Sequence, residues 1–191
     1  MLDTENLKTI PPVTLSYLGG VKCFTEGGVT VFAGASGSGK SVYLGEYTKK
    51  LANEYKNIYY FNYDESPMGV TTFSPVTFSD LQKSVLNSCS DDVVIIDTLK
   101  AYTAYNNLDV DSSEDMYKMM TDFTALARGT GVSIILVHHV DAEENLEGAD
   151  AIFEGADEVT IFERREETGM MYGYIKKQRF DFECESCVTL S

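Results

Sequence analysis

The sequence predicts an α/β fold in which helices flank a mostly parallel, twisted sheet and an antiparallel extension completes the carboxyl-terminal part. Short apolar, β-branched segments alternate with stretches of helical periodicity along most of the 191 residues, which is typical of parallel strands joined by helices. The last three candidate strands follow one another without a helix, which indicates antiparallel pairing there. We expect residues 1–191 to form a single domain, because the chain is too short for two full cores.

The individual elements follow from local patterns. Residues 113–128 carry a stripe of Met, Phe and Leu at helical spacing, which predicts a helix packed on the core. Residues 79–82 have the form of a capping box and should begin a helix, whereas residues 99–110 are rich in Tyr and Asn and are predicted to form a loop. In chain order, the predicted elements are a strand at 29–33, a helix from 41 to about 53, a strand at 58–63, a helix from 79 to about 88, a strand at 93–96, a helix at 113–128, and strands at 132–137, 159–162, 171–176 and 188–190.

Charge and hydropathy narrow the possible partners. The chain has 15 Lys and Arg against 30 Asp and Glu, a formal net charge of −15. Proteins that grip a phosphate backbone usually show a basic surface, so any nucleic-acid contact here must be local. The sequence has no run of about eighteen apolar residues and no secretory signal. We therefore expect a cytoplasmic protein with no membrane partner.

A glycine-rich motif follows the first strand and opens the first helix. Its pattern, GxxxxGKS in a strand–loop–helix context, is a specific signature of phosphate-binding loops. Backbone N–H groups in such a loop surround a phosphate, and the helix amino terminus adds a favourable dipole. Lys40 should reach the β- and γ-phosphates and Ser41 should bind Mg²⁺, so the motif predicts ATP and Mg²⁺ as cofactors. The eight residues of the motif are Gly34, Ala35, Ser36, Gly37, Ser38, Gly39, Lys40 and Ser41.

Carboxylates follow two other predicted strands. Asp97 ends the apolar segment 94–96 and is the expected partner of the phosphate loop on the Mg²⁺ side. Asp64 and Glu65 follow the second strand, and one of them could polarise the water that attacks ATP. A simple capped turn before Pro67 is the alternative interpretation of this acidic pair.

The remaining candidates are basic. His138 and His139 end the fourth strand, where a histidine could hydrogen-bond the γ-phosphate or serve structure alone. The segment 176–179 is the densest basic cluster of the chain and includes Lys177 and Arg179. Its members could be a solvated strand end, or they could supply cations to the nucleotide of a neighbouring subunit.

Taken in order, these motifs resemble the RecA/DnaB superfamily of oligomeric ATPases. The resemblance covers roughly residues 13–191 and includes helicases of the RepA-like and DnaB-like hexameric type and recombinase-type ATPases. It rests on the phosphate loop and on a glycine-bearing lead-in at 24–30, tandem acids at 64–66 as in KaiC-like members, paired histidines at 138–139, an "AIxxxAD" segment at 151–159 and a "KQR" element at 175–179.

The resemblance implies roles for several residues. Asp64 would take the position of the superfamily's catalytic glutamate, with Glu65 as the alternative, and His139 would take its polar sensor position. Lys177 and Arg179 would reach the ATP of the adjacent protomer. The implied fold is a RecA-like P-loop NTPase core, and the implied assembly is a homo-oligomer, either a hexameric ring or a filament.

These observations leave three functions open. The leading hypothesis is a Mg-ATP-hydrolysing homo-oligomeric ATPase that acts on single-stranded DNA in replication or recombination, as a helicase or recombinase would. DNA contacts would come from the 99–110 loop, because residues 140–147 are acidic and repel phosphate.

The alternative is a KaiC-like regulatory or assembly ATPase that acts on protein partners without binding DNA. A small-molecule kinase ranks third, because we find no arginine-bearing lid. A small core of this kind would suit a virus or a plasmid. The residues offered by the 99–110 loop are Lys100, Tyr102, Tyr105, Asn106 and Asn107.

Overall fold

The structure, a computed structural model, describes residues 24–63, 73–85, 92–141, 143, 145–164 and 171–179. Its strands share one six-stranded sheet. The strands are β1 (Val29–Gly34), β2 (Asn57–Asn62), β3 (Asp92–Asp97), β4 (Ser133–His138), β5 (Glu158–Arg164) and β6 (Met171–Gln178), and the helices are α1 (Lys40–Leu51), α2 (Phe78–Val85), α3 (Leu99–Tyr105), α4 (Ser113–Thr130) and α5 (Ala151–Gly155).

The strand order is β2-β3-β4-β1-β5-β6. Every neighbouring pair is parallel except β5 and β6, which are antiparallel. The predicted mostly parallel sheet with an antiparallel carboxyl-terminal extension is therefore confirmed. One detail was wrong, because β5 runs parallel to β1 and the extension begins only at β6. The strand predicted at 188–190 lies outside the described residues.

Both faces of the sheet are covered by apolar side chains. On one face α1 places Leu44 and Tyr47 against Phe32 of β1 and its neighbours. On the other face α2, α3, α4 and α5 pack on β1, β3 and β4. The stripe of α4 is buried, as predicted, and comprises Met116, Met119, Met120, Phe123 and Leu126. The sheet is thus held between two layers, and its strand ends are left to form a site.

Two local predictions were wrong, and one helix was missed. Residues 99–105 form α3 rather than a loop, because Thr98 caps the helix by accepting from the Ala101 amide and because Leu99 and Tyr102 are buried at helical spacing. The α2 cap is Thr77, two residues before the predicted capping box, and its hydroxyl accepts from the Asp80 amide. The short α5 was not predicted. In the part of the chain that the structure describes, no helix is long and apolar enough to cross a membrane.

Candidate nucleotide-binding site

The phosphate loop joins β1 to α1 at the carboxyl-terminal edge of the sheet. A β-carbon at Gly34 would lie 2.3 Å from the carbonyl oxygen of Phe162 and 2.9 Å from the Ser38 hydroxyl, so only glycine fits there. Gly37 and Gly39 have φ values of 78° and 97°, which other residues rarely adopt. Ala35, Ser36 and Gly37 are exposed at the loop tip. The loop is therefore tightly packed where it leaves β1 and exposed at its tip, as a loop that binds phosphate must be.

The side chain of Lys40 bends back and its ammonium group contacts the backbone of the phosphate loop. Its ammonium nitrogen donates to the carbonyl oxygens of Gly34 at 2.5 Å and Ala35 at 2.8 Å, and it lies 3.4 Å from the Ser38 hydroxyl. Burial lowers the pKa of Lys40 to about 8, against the opposing effect of the negative charges of Asp97 and Glu147. The ammonium is thus surrounded by oxygen acceptors, for which phosphate oxygens are suitable replacements.

Asp97 ends β3 and is buried, with 2% of its surface exposed. The hydroxyl of Tyr60 donates to its Oδ2 at 2.6 Å. The backbone amide of Tyr63 donates to the Asp97 carbonyl oxygen at 2.6 Å, so the chain after β2 passes beside β3. Sequence reasoning missed Tyr60, because the contact depends on the pairing register of two strands.

Asp64 and Glu65 lie outside the described residues. Their assignment as candidates for polarising water therefore stays a prediction. Tyr63 immediately precedes them and is the last described residue before residue 73.

His138 and His139 lie beside the phosphate loop, since His138 is in register with Ala33 of β1. The His138 ring is buried; its Nε2 donates to the carbonyl oxygen of Glu147 at 2.7 Å, and its Nδ1 has no hydrogen-bond partner among the described residues. Burial lowers the pKa of His138 to about 4, so this ring is neutral near pH 7. His139 is half-buried, and its carbonyl oxygen accepts from the Glu147 amide at 3.1 Å.

Glu147 links the loop after β4 to α3. Its carboxylate pairs with the Lys100 ammonium at 2.9 Å, which raises the pKa of Lys100 and, through the same hydrogen bond, lowers that of Glu147. From the sequence, Glu147 is only one member of an acidic segment that is expected to repel phosphate. The structure brings it into the electrostatic environment of Lys40.

Lys177 and Arg179 lie at the opposite edge of the sheet. Because β6 is antiparallel to β5, it ends where β1 and β5 begin. The Lys177 ammonium donates to the carbonyl oxygens of Phe153 at 2.7 Å and Glu154 at 2.9 Å. Arg179 donates to Asp157 at 3.2 Å and to the Glu154 carbonyl at 2.9 Å. The structure therefore keeps both residues away from the phosphate loop of their own chain.

At that opposite edge the carboxylate of Asp157 accepts hydrogen bonds from three parts of the chain, and we call this cluster the hub. Asp157 is fully buried and accepts from Arg128 at 2.9 Å, from Arg179 at 3.2 Å and from the Val29 amide at 3.0 Å. Arg128 also donates to the Gly27 carbonyl at 2.7 Å. One carboxylate thus joins the start of β1, the end of α4 and the end of β6.

The phosphate loop, the buried aspartate at a strand end and the sheet order are those of the RecA-like P-loop fold. A family model described as an AAA domain matches residues 59–145, a span that begins after the phosphate loop. The solved ATPase domain of G40p superposes with a TM-score of 0.65 at 10% identity, covering 81% of this chain and 78% of that one. No curated protein matches the chain. The chain therefore has the fold of a RecA/DnaB-superfamily ATPase, as the sequence predicted.

The fold is shared widely, since 488 solved chains match it. A fold shared this widely serves many tasks, so the function of this chain depends on the residues of its site.

Proposed function

We propose that this protein is a Mg²⁺-dependent ATP hydrolase that works as a homo-oligomer on single-stranded DNA in replication or recombination, in the manner of a helicase or recombinase. The observation that carries the ATPase part is the burial of Lys40, at the start of α1, and of Asp97, at the end of β3, at the same end of the sheet. Lys40 is 7% exposed and Asp97 is 2% exposed, and the negative charge of Asp97 opposes the loss of the Lys40 proton. A cation and a carboxylate buried together beside a glycine loop fit a nucleotide and its metal ion.

Each residue of the site has a proposed task. The phosphate loop and the amino terminus of α1 would hold the phosphates, with Lys40 exchanging its carbonyl partners for β- and γ-phosphate oxygens. Ser41 and Asp97 would hold Mg²⁺, which when bound neutralises charge on the phosphate oxygens. Asp64 or Glu65 would orient the attacking water, and His139 would contact the γ-phosphate.

The proposed assembly gives Lys177 and Arg179 a task in trans. They are remote from their own phosphate loop, so they would act on the nucleotide of the adjacent protomer in a ring or filament. Cations placed against a phosphate in transfer contribute strongly to rate in such enzymes.

A second candidate function, an ATPase of KaiC-like character that acts on protein partners, is favoured because one predicted DNA contact is buried and two others are engaged within the protein. Tyr102 is 1% exposed and therefore unable to stack on a base. Asn106 ends α3 and accepts from the Phe78 amide, while Lys100 is paired with Glu147. Tyr105, 50% exposed, is the aromatic ring of α3 that a base could reach.

One experiment tests both candidates. ATP turnover is measured at low salt with and without Mg²⁺ and single-stranded DNA, and the mass of the particle is measured with nucleotide bound. Lys40→Ala and Asp97→Asn should abolish turnover, whereas Lys49→Ala, an exposed lysine of α1, should not.

The outcomes separate the functions. Turnover stimulated by DNA, with binding that weakens as salt rises, supports the first proposal. ATP turnover that does not change when DNA is added supports the second candidate function. Absence of ATP hydrolysis rejects both, and phosphate transfer to a nucleoside would indicate a kinase instead.

A further inference from the structure

Tyr60 is a buried tyrosine whose hydroxyl donates to the carboxylate of Asp97. The two oxygen atoms are 2.6 Å apart, within the range of about 2.5–2.7 Å typical of hydroxyl-to-carboxylate bonds. Tyr60 is fully buried and Asp97 is 2% exposed, so water does not compete for this contact. The hydrogen bond is therefore a fixed part of the surroundings of Asp97.

The strand register explains why a tyrosine is needed here. In the parallel β2–β3 pair, Tyr60 lies beside Ile95 and Asn62 lies beside Asp97. Tyr60 therefore lies two residues before the position that pairs with Asp97, a distance of about 6.6 Å along the strand, and its side chain is on the same face of the sheet as that of Asp97. A tyrosine ring spans that length and ends in a donor. Serine or threonine would be too short, and phenylalanine would fill the space without donating.

The contact has one possible direction, because a carboxylate oxygen only accepts and the phenolic hydroxyl must donate. This hydrogen bond to Oδ2 restricts rotation of the Asp97 carboxylate and so favours one orientation of its two oxygens.

We propose that Tyr60 is a positioning residue that orients the Asp97 carboxylate for Mg²⁺ at the nucleotide site. The inference rests on the proposed function, in which Asp97 serves the metal. Groups that orient metal ligands through hydrogen bonds typically change metal affinity by about 10–100-fold when they are removed. The contribution of Tyr60 should therefore appear in the metal dependence of nucleotide binding rather than in nucleotide binding itself.

The first test compares the full-length protein with Tyr60→Phe, which removes the hydroxyl and keeps the ring. Nucleotide binding is measured in EDTA and then in a Mg²⁺ titration. We expect unchanged binding in EDTA and about a tenfold or greater increase in the Mg²⁺ needed for half-maximal tightening. Tyr55→Phe is the matched control, because the Tyr55 hydroxyl also donates to a carboxylate, Glu26, at 2.7 Å. That variant should keep the wild-type Mg²⁺ dependence.

Asp97→Asn separates the two levels of the argument. If Asp97→Asn binds Mg²⁺ and nucleotide like the wild type, the proposed role of Asp97 is overturned. If Asp97→Asn loses the Mg²⁺ effect and Tyr60→Phe keeps it, only the positioning role is overturned. Because Tyr60 acts through Asp97, adding Tyr60→Phe to Asp97→Asn should change the Mg²⁺ dependence no further.

A measurement on the unaltered protein does not depend on the folding of any variant. With labelled tyrosines, the hydroxyl proton of Tyr60 should exchange slowly with water and give an observable NMR signal. Its chemical shift should change when Mg²⁺ is added to the nucleotide-bound protein, and the Tyr55 signal should change less. A Tyr60 signal that is indifferent to Mg²⁺ would overturn the proposal.

Discussion

At the scale of single residues, burial decides the protonation of two side chains next to the phosphate loop. Lys40 and His138 both have pKa values below the ordinary values, because burial disfavours their charged forms. The consequences differ. Lys40 retains a charge at neutral pH that a phosphate can use, whereas His138 is neutral and supports the strand end through its bond to Glu147.

The low pKa of Lys40 predicts that ATP affinity weakens as pH rises through about 8. Phosphates favour the charged ammonium, so above that pH the free protein must take up a proton on binding. We expect the affinity to fall by up to about tenfold per pH unit. Calorimetry between pH 7.5 and pH 9.5 in buffers of different ionisation enthalpy measures both quantities. Lys40→Arg, charged throughout, should bind without this slope, and a flat wild-type profile would contradict the prediction.

The low pKa of His138 predicts an acid-dependent loss of stability. The folded-state pKa of about 4 lies below the ordinary histidine value of 6.5, so between these pH values the unfolded chain binds more protons. Stability present above pH 6.5 is therefore lost as pH falls towards 4, by on the order of 2–3 kcal/mol. Urea unfolding at pH 7 and pH 4.5 should show a smaller loss for His138→Gln than for the wild type. His139→Gln, the control, should lose as much as the wild type.

At the scale of elements, the sequence predicted the helices, strands and loops whose signal lies within a short stretch of the chain. The glycine loop, the strand ending on Asp97 and the buried stripe of α4 each carry their signal within about ten residues. Helix α3 was missed because its Tyr and Asn content outweighed the helical spacing of Leu99 and Tyr102. The direction of β5 was missed because the order of strands along the chain does not show which strand β5 will pair with. In the structure β5 pairs with β1 in parallel. The contact of Tyr60 with Asp97 depends on register, which no local pattern encodes.

Two glycines of the phosphate loop should respond differently to alanine. At Gly34 the new β-carbon would meet the Phe162 carbonyl at 2.3 Å, so β1 and β5 must separate. At Gly37 there is open space and only the φ of 78° opposes the change. We expect Gly37→Ala to cost about 1 kcal/mol and Gly34→Ala to cost more, in the range of about 2–3 kcal/mol. Urea unfolding of the two variants measures the difference, and equal losses would contradict the close approach.

At the scale of the whole molecule, charge is distributed between the two edges of the sheet. The chain carries a net charge of −15, and the described loop after β4 includes Asp141, Glu143 and Glu147 at the nucleotide edge. Arg128, Lys177 and Arg179 lie at the other edge around Asp157 and α5. A head-to-tail arrangement would bring the edge that carries Lys177 and Arg179 to the nucleotide edge of the next protomer. Such contacts generate rings or filaments.

Arg128 and Arg179 allow this arrangement to be separated from a purely internal role. Both pair with Asp157 and both are about half-exposed, at 42% and 44%. Removing either weakens the same hub, so Arg128→Ala and Arg179→Ala should lose similar stability, roughly 1 kcal/mol after allowance for solvent screening. Of these two arginines, Arg179 is the one proposed to act on a neighbour's nucleotide. We therefore expect Arg179→Ala alone to lose ATP turnover, with ATP binding retained.

Mixing of subunits completes the argument, because a residue that acts in trans can be supplied by another chain. Arg179→Ala subunits keep an intact phosphate loop, and Lys40→Ala subunits keep an intact Arg179, so a mixed oligomer contains some interfaces with both. Turnover of the mixture should exceed the sum of the separate variants, measured at equal total protein. Mixing Arg179→Ala with the double variant Lys40→Ala, Arg179→Ala should restore nothing. If Arg128→Ala loses turnover as completely as Arg179→Ala and mixing has no effect, Arg179 serves only the hub at Asp157.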